Sequence, residues 1–231
     1  MNRNLCIIPA RGGSKRIPRK NIRSFMGKPI IAYSIEAALN SGLFDEVMVS
    51  TDDEEIAEIA RKYGADIPFM RSKENANDFA TTVDVLLEVL EEYDAEGKEF
   101  ENMCCIYPTA PFITEAKLVE AFEKLSRENL DAVFPVIPFG YPIQRSLKYY
   151  NNKLRFFFPE YEKSRSQDLE KAYHDAGQFY FIRTENFVRN KSIITENTGG
   201  IIIAEMEAQD IDTETDWNLA ELKYELIQRT E

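Results

Sequence analysis

Short apolar segments alternate with amphipathic helical segments through the first 136 residues, and this alternation constrains the fold more than any other feature. Apolar runs such as 5–10 and 103–107 are each followed by a stretch with apolar residues at helical spacing. Strands that are apolar throughout are typical of a mostly parallel sheet with helices on both faces. The sequence therefore predicts a three-layer α/β domain.

The predicted elements can be placed by residue range. Strands are expected over 5–10, 45–50, 65–70, 103–107, 131–136, 178–182 and 200–204. Helices are expected over 29–40, 54–63, 83–90, 118–125 and 212–229, the second opened by the capping box Thr51-Asp52-Asp53-Glu54. The last helix carries Leu219, Leu222 and Leu226 on one face.

The strand–helix alternation stops after about residue 138. Residues 147–156 predict a hairpin that turns at Asn151-Asn152, and a polar, irregular stretch follows over 159–175. We expect one domain over 1–231, with 138–176 as a small β-rich insertion.

Composition excludes several classes of protein. The chain has 231 residues, a net charge of −12 and 44% hydrophobic residues, which is enough for a substantial core. The acidic balance (pI near 4.8) argues against binding to nucleic acid or to anionic membranes. No apolar run approaches the roughly 18 residues that a membrane helix needs. Three cysteines make no disulfide framework, so a cytoplasmic location is expected.

Positive charge is concentrated near the amino terminus. Residues 1–35 contain eight basic residues and no acidic one, and six of the eight lie between Arg11 and Arg23. A local cationic loop on an acidic body indicates a small anionic ligand. The alternative is a solvated charged loop or a basic localisation signal.

The loop after the first strand reads Ala10-Arg11-Gly12-Gly13-Ser14-Lys15-Arg16-Ile17-Pro18-Arg19-Lys20-Asn21. Its two glycines let the backbone approach a phosphate, and Arg11, Lys15 and Lys20 can neutralise a triphosphate. The loop matches neither the Walker A pattern nor the dinucleotide fingerprint. The residues alone thus predict a phosphorylated ligand, in particular a nucleotide.

Five segments in order carry a resemblance to a known family: 9–21, 49–52, 107–111, 165–180 and 209–213. Together they resemble the acylneuraminate cytidylyltransferases, which make CMP-activated nonulosonic acids. The resemblance implies a Rossmann-like (GT-A-like) nucleotidyltransferase fold whose insertion pairs two subunits into a homodimer. Residues 165–180 are most similar to the branch of the family that acts on pseudaminic acid.

The resemblance also implies which residues hold CTP. They are Arg11, Gly12, Gly13, Ser14, Lys15, Lys20, Asn21, Arg71 and Thr82. Read without the family, Arg71 is a surface arginine and Thr82 a helix cap. Arg16, Arg19 and Arg23 are left outside the predicted site, as residues for solubility or for a contact with the sugar carboxylate.

Asp210 and Asp212 form the second predicted group of functional residues, a candidate metal-binding pair. Carboxylates at i and i+2 of an extended segment point the same way and suit Mg²⁺, which takes one or two carboxylates plus phosphates and waters. The alternative is that Asp212 caps the last helix. The family uses this motif for its metal, so the resemblance implies Mg²⁺ or another divalent cation at both residues.

The resemblance places Tyr107, Arg165, Gln167 and His174 at the sugar. Arg165 and Gln167 are implied to reach it across the dimer interface. Tyr107 stands where sialic-acid members carry glutamine, which argues against N-acetylneuraminate. The single histidine can also be structural, and Cys104 and Cys105 are expected to be core residues.

The implied reaction is attack by the anomeric hydroxyl of the sugar on the α-phosphorus of CTP, with loss of pyrophosphate. Arg11, Lys15, Lys20 and Asp210 are its expected catalytic residues. Legionaminate, N-acetylneuraminate and 3-deoxy-manno-octulosonate are the alternative sugars. A nucleotide-binding module without turnover is the alternative of another class.

Overall fold

The computed structural model describes residues 3–229, and the chain forms one α/β fold over this range. Its strands are β1 (Asn4–Pro9), β2 (Ser24–Phe25), β3 (Lys28–Pro29), β4 (Glu46–Ser50), β5 (Asn102–Ile106), β6 (Ala132–Pro138), β7 (Leu147–Tyr150), β8 (Lys153–Phe156), β9 (Tyr173–Asp175), β10 (Phe179–Arg183) and β11 (Thr198–Ile202). Its α-helices are α1 (Ile30–Asn40), α2 (Glu54–Lys62), α3 (Thr82–Ala95), α4 (Glu115–Arg127), α5 (Thr184–Asn190) and α6 (Glu214–Gln228).

Seven strands form the central sheet in the order β11-β6-β10-β5-β1-β4, with β9 paired to β6. Strands β4, β1 and β5 are parallel to one another, β11 is parallel to β6, and β10 runs antiparallel to both of its neighbours. The mostly parallel sheet predicted from the sequence is therefore confirmed.

Helices cover both faces of this sheet. Alternate residues of β1 enter different cores: Cys6 and Ile8 pack with the cluster that includes α1 and α4, while Leu5 and Ile7 pack with the cluster that includes α3. Side chains alternate across a strand, so a strand buried on both faces must be apolar throughout. The three-layer arrangement explains the uninterrupted apolar run of β1.

Two local predictions were wrong. The strand expected over 65–70 is reduced to a single parallel bridge between Met48 and Asp66. The proposed capping box is also absent, because Asp53 caps α2 and accepts a hydrogen bond from Ile56 N at 3.1 Å. Helix α5 was not predicted from the sequence.

Helix α6 packs through a different face from the leucine stripe that marked it in the sequence. Leu219, Leu222 and Leu226 are about half exposed, whereas Trp217 and Ala220 are buried. Trp217 packs edge-on against Phe25, with ring centroids 5.6 Å apart. This contact joins the helix to the segment that follows the basic loop.

The insertion contains the predicted hairpin. Strands β7 and β8 pair antiparallel, and Asn151 and Asn152 take φ values of 49° and 56° at the turn. Asparagine tolerates this left-handed region, which a two-residue turn of this kind requires at both positions. The end of the insertion returns to the main sheet as β9. No helix within residues 3–229 has the length and apolar character to cross a bilayer.

Candidate active site

The basic loop leaves β1 at the carboxyl edge of the sheet, where open parallel sheets bind their ligands. Ala10 N donates to Ser50 O at 2.9 Å, which ties the start of the loop to the end of β4. The buried Asn21 side chain donates to Arg11 O at 2.9 Å, and Lys20 Nζ donates to Ile211 O at 2.6 Å. The Asn21 bond closes the loop on itself, and the Lys20 bond holds it against the segment that precedes α6.

A cavity of about 400 Å³ opens beside this loop. Most of the loop residues predicted from the sequence line it, together with residues after β5 and one aspartate of the pair: Pro9, Arg11, Ser14, Lys15, Arg16, Lys20, Asn21, Tyr107, Pro108, Thr109 and Asp212. Four cationic side chains facing one cavity suit a polyanionic ligand.

Gly12 and Gly13 stand in different surroundings. A Cβ on Gly12 would lie 2.6 Å from Asp53 Oδ2, whereas nothing lies within 4 Å of one on Gly13. The amide of Gly12 donates to Asp52 Oδ1 at 2.9 Å. Gly12 is thus required by close packing against the residues after β4, and only Gly13 leaves its surroundings open for a ligand.

Arg16 is a cavity residue that the sequence-based prediction missed. Its guanidinium lies 2.8 Å from Asp212 Oδ1, and Lys20 Nζ lies 3.6 Å from the same oxygen. An arginine in a run of basic residues gave no signal of its own, because only the fold brings Asp212 next to it.

Arg19 and Arg23 have structural partners. Arg19 binds Asp53 at 2.5 and 3.0 Å and also contacts Glu55. This pairing lowers the pKa of Asp53 and raises that of Arg19. Arg23 binds Glu214 at 2.6 Å and lies over the Trp217 ring. Neither of them lines the basic-loop cavity.

The aspartate pair spans two neighbouring cavities. Asp212 lines the cavity of the basic loop, and Asp210 lines a second one of about 380 Å³. Partial burial, and then the charge of Asp212, raise the pKa of Asp210. Asp212 does not cap α6, since Thr213 occupies that position and accepts from Asp216 N.

The chemistry of this donor set fits a divalent cation. The charges of the two carboxylates repel each other, and a cation bound by either would relieve this repulsion. Within residues 3–229, no group of three or more His, Cys, Asp or Glu side chains is arranged to hold a metal. The pair alone suits Mg²⁺, which completes its coordination with phosphates and water.

His174 and Asp175 line the second cavity together with Asp210, which brings one predicted sugar residue to the same cavity as one of the two predicted metal ligands. His174 Nδ1 lies 2.9 Å from Asp175 O, and its ring packs against Phe139. Tyr180 donates to Asp175 Oδ2 at 2.6 Å. This carboxylate, absent from the predicted set, is therefore fixed at the cavity wall.

Arg71 is buried, which contradicts its alternative interpretation as a surface arginine. Its Nε donates to Ser50 Oγ at 2.9 Å and one Nη to Ser50 O at 2.6 Å. Burial lowers the pKa of this guanidinium. The side chain fixes the carboxyl end of β4 beside the basic loop.

Thr82 does not cap α3 either, because Thr81 does so in a capping box with Asp84. The Thr82 hydroxyl lies instead 3.3 Å from the Tyr107 hydroxyl. Burial raises the pKa of Tyr107, whose ring packs against Tyr180. Thr82 and Tyr107 thus form a neutral polar contact at the edge of the basic-loop cavity.

Arg165 and Gln167 line neither the basic-loop cavity nor the cavity beside Asp210. Arg165 forms an ion pair with Asp168 at 2.7 Å. Gln167 lines a third cavity of about 460 Å³, which shares Pro138, Phe139 and Gly140 with the cavity beside Asp210. The cysteines lie in the core as expected, and burial raises the pKa of all three.

A sequence profile of the cytidylyltransferase family matches residues 5–229. The chain is 45% identical to the pseudaminic acid cytidylyltransferase of Campylobacter jejuni, over 97% of each chain. It is 34% identical to the CMP-N,N'-diacetyllegionaminic acid synthase of Legionella pneumophila, over 98% of each. This chain belongs to the cytidylyltransferase family, and the family expected from the sequence motifs is confirmed.

The fold agrees with this membership. A solved CMP:2-keto-3-deoxy-manno-octonic acid synthetase, complexed with CTP, superposes with a TM-score of 0.71 at 18% identity. The match covers 99% of this chain and all of the other. The nucleotidyltransferase fold that the sequence predicted is therefore confirmed.

Proposed function

We propose that this enzyme transfers CMP from CTP to the anomeric hydroxyl of pseudaminic acid and releases pyrophosphate. The observation that carries the proposal is the single cavity that brings Arg11, Lys15, Lys20 and Asp212 together. The name of the Campylobacter jejuni relative supports the choice of sugar. Tyr107, a departure from the family's glutamine in sialic-acid members, agrees with it.

The cationic side chains of the basic-loop cavity bind the phosphates. Arg11 and Lys15 hold the β- and γ-phosphates that become the leaving group, with arginine able to bind two oxygens at once. Lys20 and Asn21 brace the loop, and the open space beside Gly13 lets a phosphate approach the backbone. Thr82 and Arg71 stand at the nucleoside side of this site.

The cavity beside Asp210 receives the sugar, with His174, Asp175 and Gln209 along its wall. The reaction forms a bond between the anomeric oxygen and the α-phosphorus and breaks the bond from that phosphorus to the β-phosphate oxygen. The hydroxyl proton leaves to a base, for which Asp210 and Asp212 are the candidates. Positioning and charge stabilisation supply most of the acceleration in phosphoryl chemistry of this kind.

Asp210 and Asp212 are the residues that would hold Mg²⁺. When bound, the cation supplies positive charge against the negative charge that develops on the phosphates. The residues of this chain orient the two substrates and keep the phosphate-binding cations in place.

A homodimer completes the proposal. The hairpin of the insertion exposes large apolar side chains, including Tyr149 at 70% and Leu154 at 61%. Exposed apolar patches of this kind mark interaction surfaces. We place a second copy of the chain on this surface, which brings Arg165 and Gln167 towards the partner's sugar. Free buried thiols agree with a reducing cytoplasm.

The test is release of pyrophosphate from CTP and Mg²⁺ with pseudaminic, legionaminic, N-acetylneuraminic or 3-deoxy-manno-octulosonic acid. Release that is fastest with pseudaminic acid supports the proposed reaction and the choice of sugar. Release with another acid alone keeps the cytidylyltransferase and overturns the choice of sugar. CTP binding without release from any acid favours a binding module.

A further inference from the structure

The two cations that the proposed function assigns to the phosphates are bridged by one carboxylate of the chain. Arg11 Nη1 lies 2.7 Å from Asp78 Oδ1, and Lys15 Nζ binds Asp78 Oδ2. The same Arg11 nitrogen donates to Asn77 O at 3.1 Å. Hydrogen bonds from Lys15 and Arg11 lower the pKa of Asp78, so it is an anion at neutral pH.

The segment that carries Asp78 is anchored at its base and folded locally at its tip. At the base, Ser72 N and Asn75 Nδ2 donate to the Glu88 carboxylate of α3. At the tip, Asn77 Oδ1 accepts from the amides of Phe79 and Ala80 at 2.7 and 3.1 Å. The tip can therefore keep its turn when its contacts to the basic loop are broken.

Few interactions hold the tip in place. Phe79 is 91% exposed, so no apolar packing by this side chain opposes movement. In the part of the chain that the structure describes, the hydrogen bonds from 77–80 to distant residues run to Arg11 and Lys15 alone. The Lys15 and Asp78 side chains are 78% and 40% exposed. Ion pairs this exposed are weak, because water screens their charges.

A polyphosphate is a stronger ligand for these cations than Asp78. It brings several negative charges and several oxygens, whereas Asp78 brings one charge and two oxygens. Asp78 occupies Nη1 of Arg11 and Nζ of Lys15, and its negative charge repels a phosphate that approaches the same two cations. Ligand binding and the Asp78 contact are therefore in direct competition.

We propose that Asp78 is a built-in competitor for the phosphate site, which leaves Arg11 and Lys15 when CTP binds and returns as pyrophosphate departs. This role rests on the proposed function, because it requires that these two cations hold the phosphates. Asp78 keeps both cations oriented between turnovers and lowers the affinity of the enzyme for its product. It is a positioning residue, with no part in the bond-making step.

The test compares the binding of inorganic pyrophosphate, with Mg²⁺ present, to the whole protein by calorimetry. Asp78→Asn should bind pyrophosphate more tightly than the unmodified protein, by a factor of up to about five, because exposed ion pairs are weak. It should also be inhibited at correspondingly lower pyrophosphate concentrations and show a lower KM for CTP. Melting temperature confirms that the variant folds.

Glu74→Gln is the matched control, because it removes the same charge from the same exposed segment. Glu74 forms no ion pair with the basic loop in the described part of the chain. If Glu74→Gln tightens pyrophosphate binding as much as Asp78→Asn does, the gain in affinity comes from the lower negative charge of the segment and not from the loss of the Asp78 contact. That result overturns the inference. Unchanged affinity in Asp78→Asn overturns it as well.

Arg11→Met and Lys15→Met separate this inference from the proposed function. If both variants weaken pyrophosphate binding while Asp78→Asn leaves it unchanged, the phosphate site stands and the competitor role fails. If neither variant weakens binding, or if the unmodified protein binds no pyrophosphate, the assignment of the phosphate site fails and the competitor role fails with it.

Discussion

The carboxylate of Asp212 lies 2.8 Å from the guanidinium of Arg16, and this contact joins the two ends of the chain in one site. Arg16 belongs to the loop after β1, and Asp212 to the segment before α6. In the proposed function, Asp212 would therefore lie at the boundary between the cation site and the phosphate site. Its partners Arg16 and Lys20 are two of the four cationic side chains that line the basic-loop cavity.

The aspartate pair is expected to be essential for turnover and unimportant for folding. Asp210→Asn should abolish pyrophosphate release, because one of two carboxylate ligands for the divalent cation is lost. Its melting temperature should stay the same or rise slightly, since the partial burial of this charge and its repulsion by Asp212, which raise the pKa of Asp210 in that order, no longer oppose folding. The measurement is a pyrophosphate-release assay at saturating Mg²⁺.

Glu214→Gln serves as the control for this variant. It removes one carboxylate two residues beyond Asp212, and its partner is Arg23 rather than a cavity residue. We expect Glu214→Gln to retain most of the activity. Near-normal turnover in Asp210→Asn would contradict the assignment of Asp210 as a metal ligand.

The two glycines of the basic loop should respond differently to alanine. Gly12→Ala places a Cβ 2.6 Å from Asp53 Oδ2 and should lower the free energy of unfolding by about 1–3 kcal/mol. Gly13→Ala meets no atom within 4 Å and should fold normally, while its affinity for CTP falls. Urea denaturation and CTP titration measure the two effects, and equal losses of stability would contradict the expectation.

Arg71 is expected to stabilise the protein as well as the site. Arg71→Met leaves the Ser50 carbonyl and hydroxyl without their buried donor, a loss of about 1–3 kcal/mol of unfolding free energy. Ser50→Ala is the matched control, because it removes the hydroxyl and keeps the stronger contact to the carbonyl. It should cost less than Arg71→Met in urea denaturation; a larger loss in Ser50→Ala would refute this account.

Acid should destabilise the protein partly through Asp53. Arg19 holds the pKa of Asp53 below its ordinary value, so the carboxylate contributes stability above about pH 4, where the unfolded chain is also ionised. That contribution is lost as the pH falls through the lower folded-state pKa. Asp53→Asn should therefore show a shallower loss of unfolding free energy between about pH 5 and pH 2. Parallel acid profiles would contradict this assignment.

The proposed dimer should depend on the apolar surface of the hairpin. Leu154→Glu introduces a charge on a side chain that is 61% exposed in the single chain, so folding should be unaffected. Association should weaken, because a desolvated carboxylate at an interface is costly. Sedimentation velocity measures the shift towards monomer. Lys153→Glu is the control, because it also adds a negative charge to the hairpin but leaves the apolar side chain of Leu154 in place. A monomeric unmodified protein at high concentration would exclude the dimer.

Much of the fold could be predicted because local chemistry determines it. The alternation of apolar strands and amphipathic helices requires a covered parallel sheet, and the Asn151-Asn152 pair specifies its turn without help from the rest of the chain. The bridge at Met48 and Asp66, in contrast, is all that remains of an expected strand. Whether an extended segment joins a sheet depends on an available edge, which a local pattern cannot show.

The candidate site, like the fold, could be predicted from the sequence only in part. Glycines and basic residues predict a phosphorylated ligand from the sequence alone, because each residue type carries its chemistry with it, whereas the reaction was implied by the resemblance to the family. The partners of Arg16 and Arg71, the burial of α6 through Trp217, and the bridge from Asp78 to Arg11 were decided by tertiary structure. These contacts join residues far apart in the chain, and only the packing of the sheet and its helices sets the distances between them.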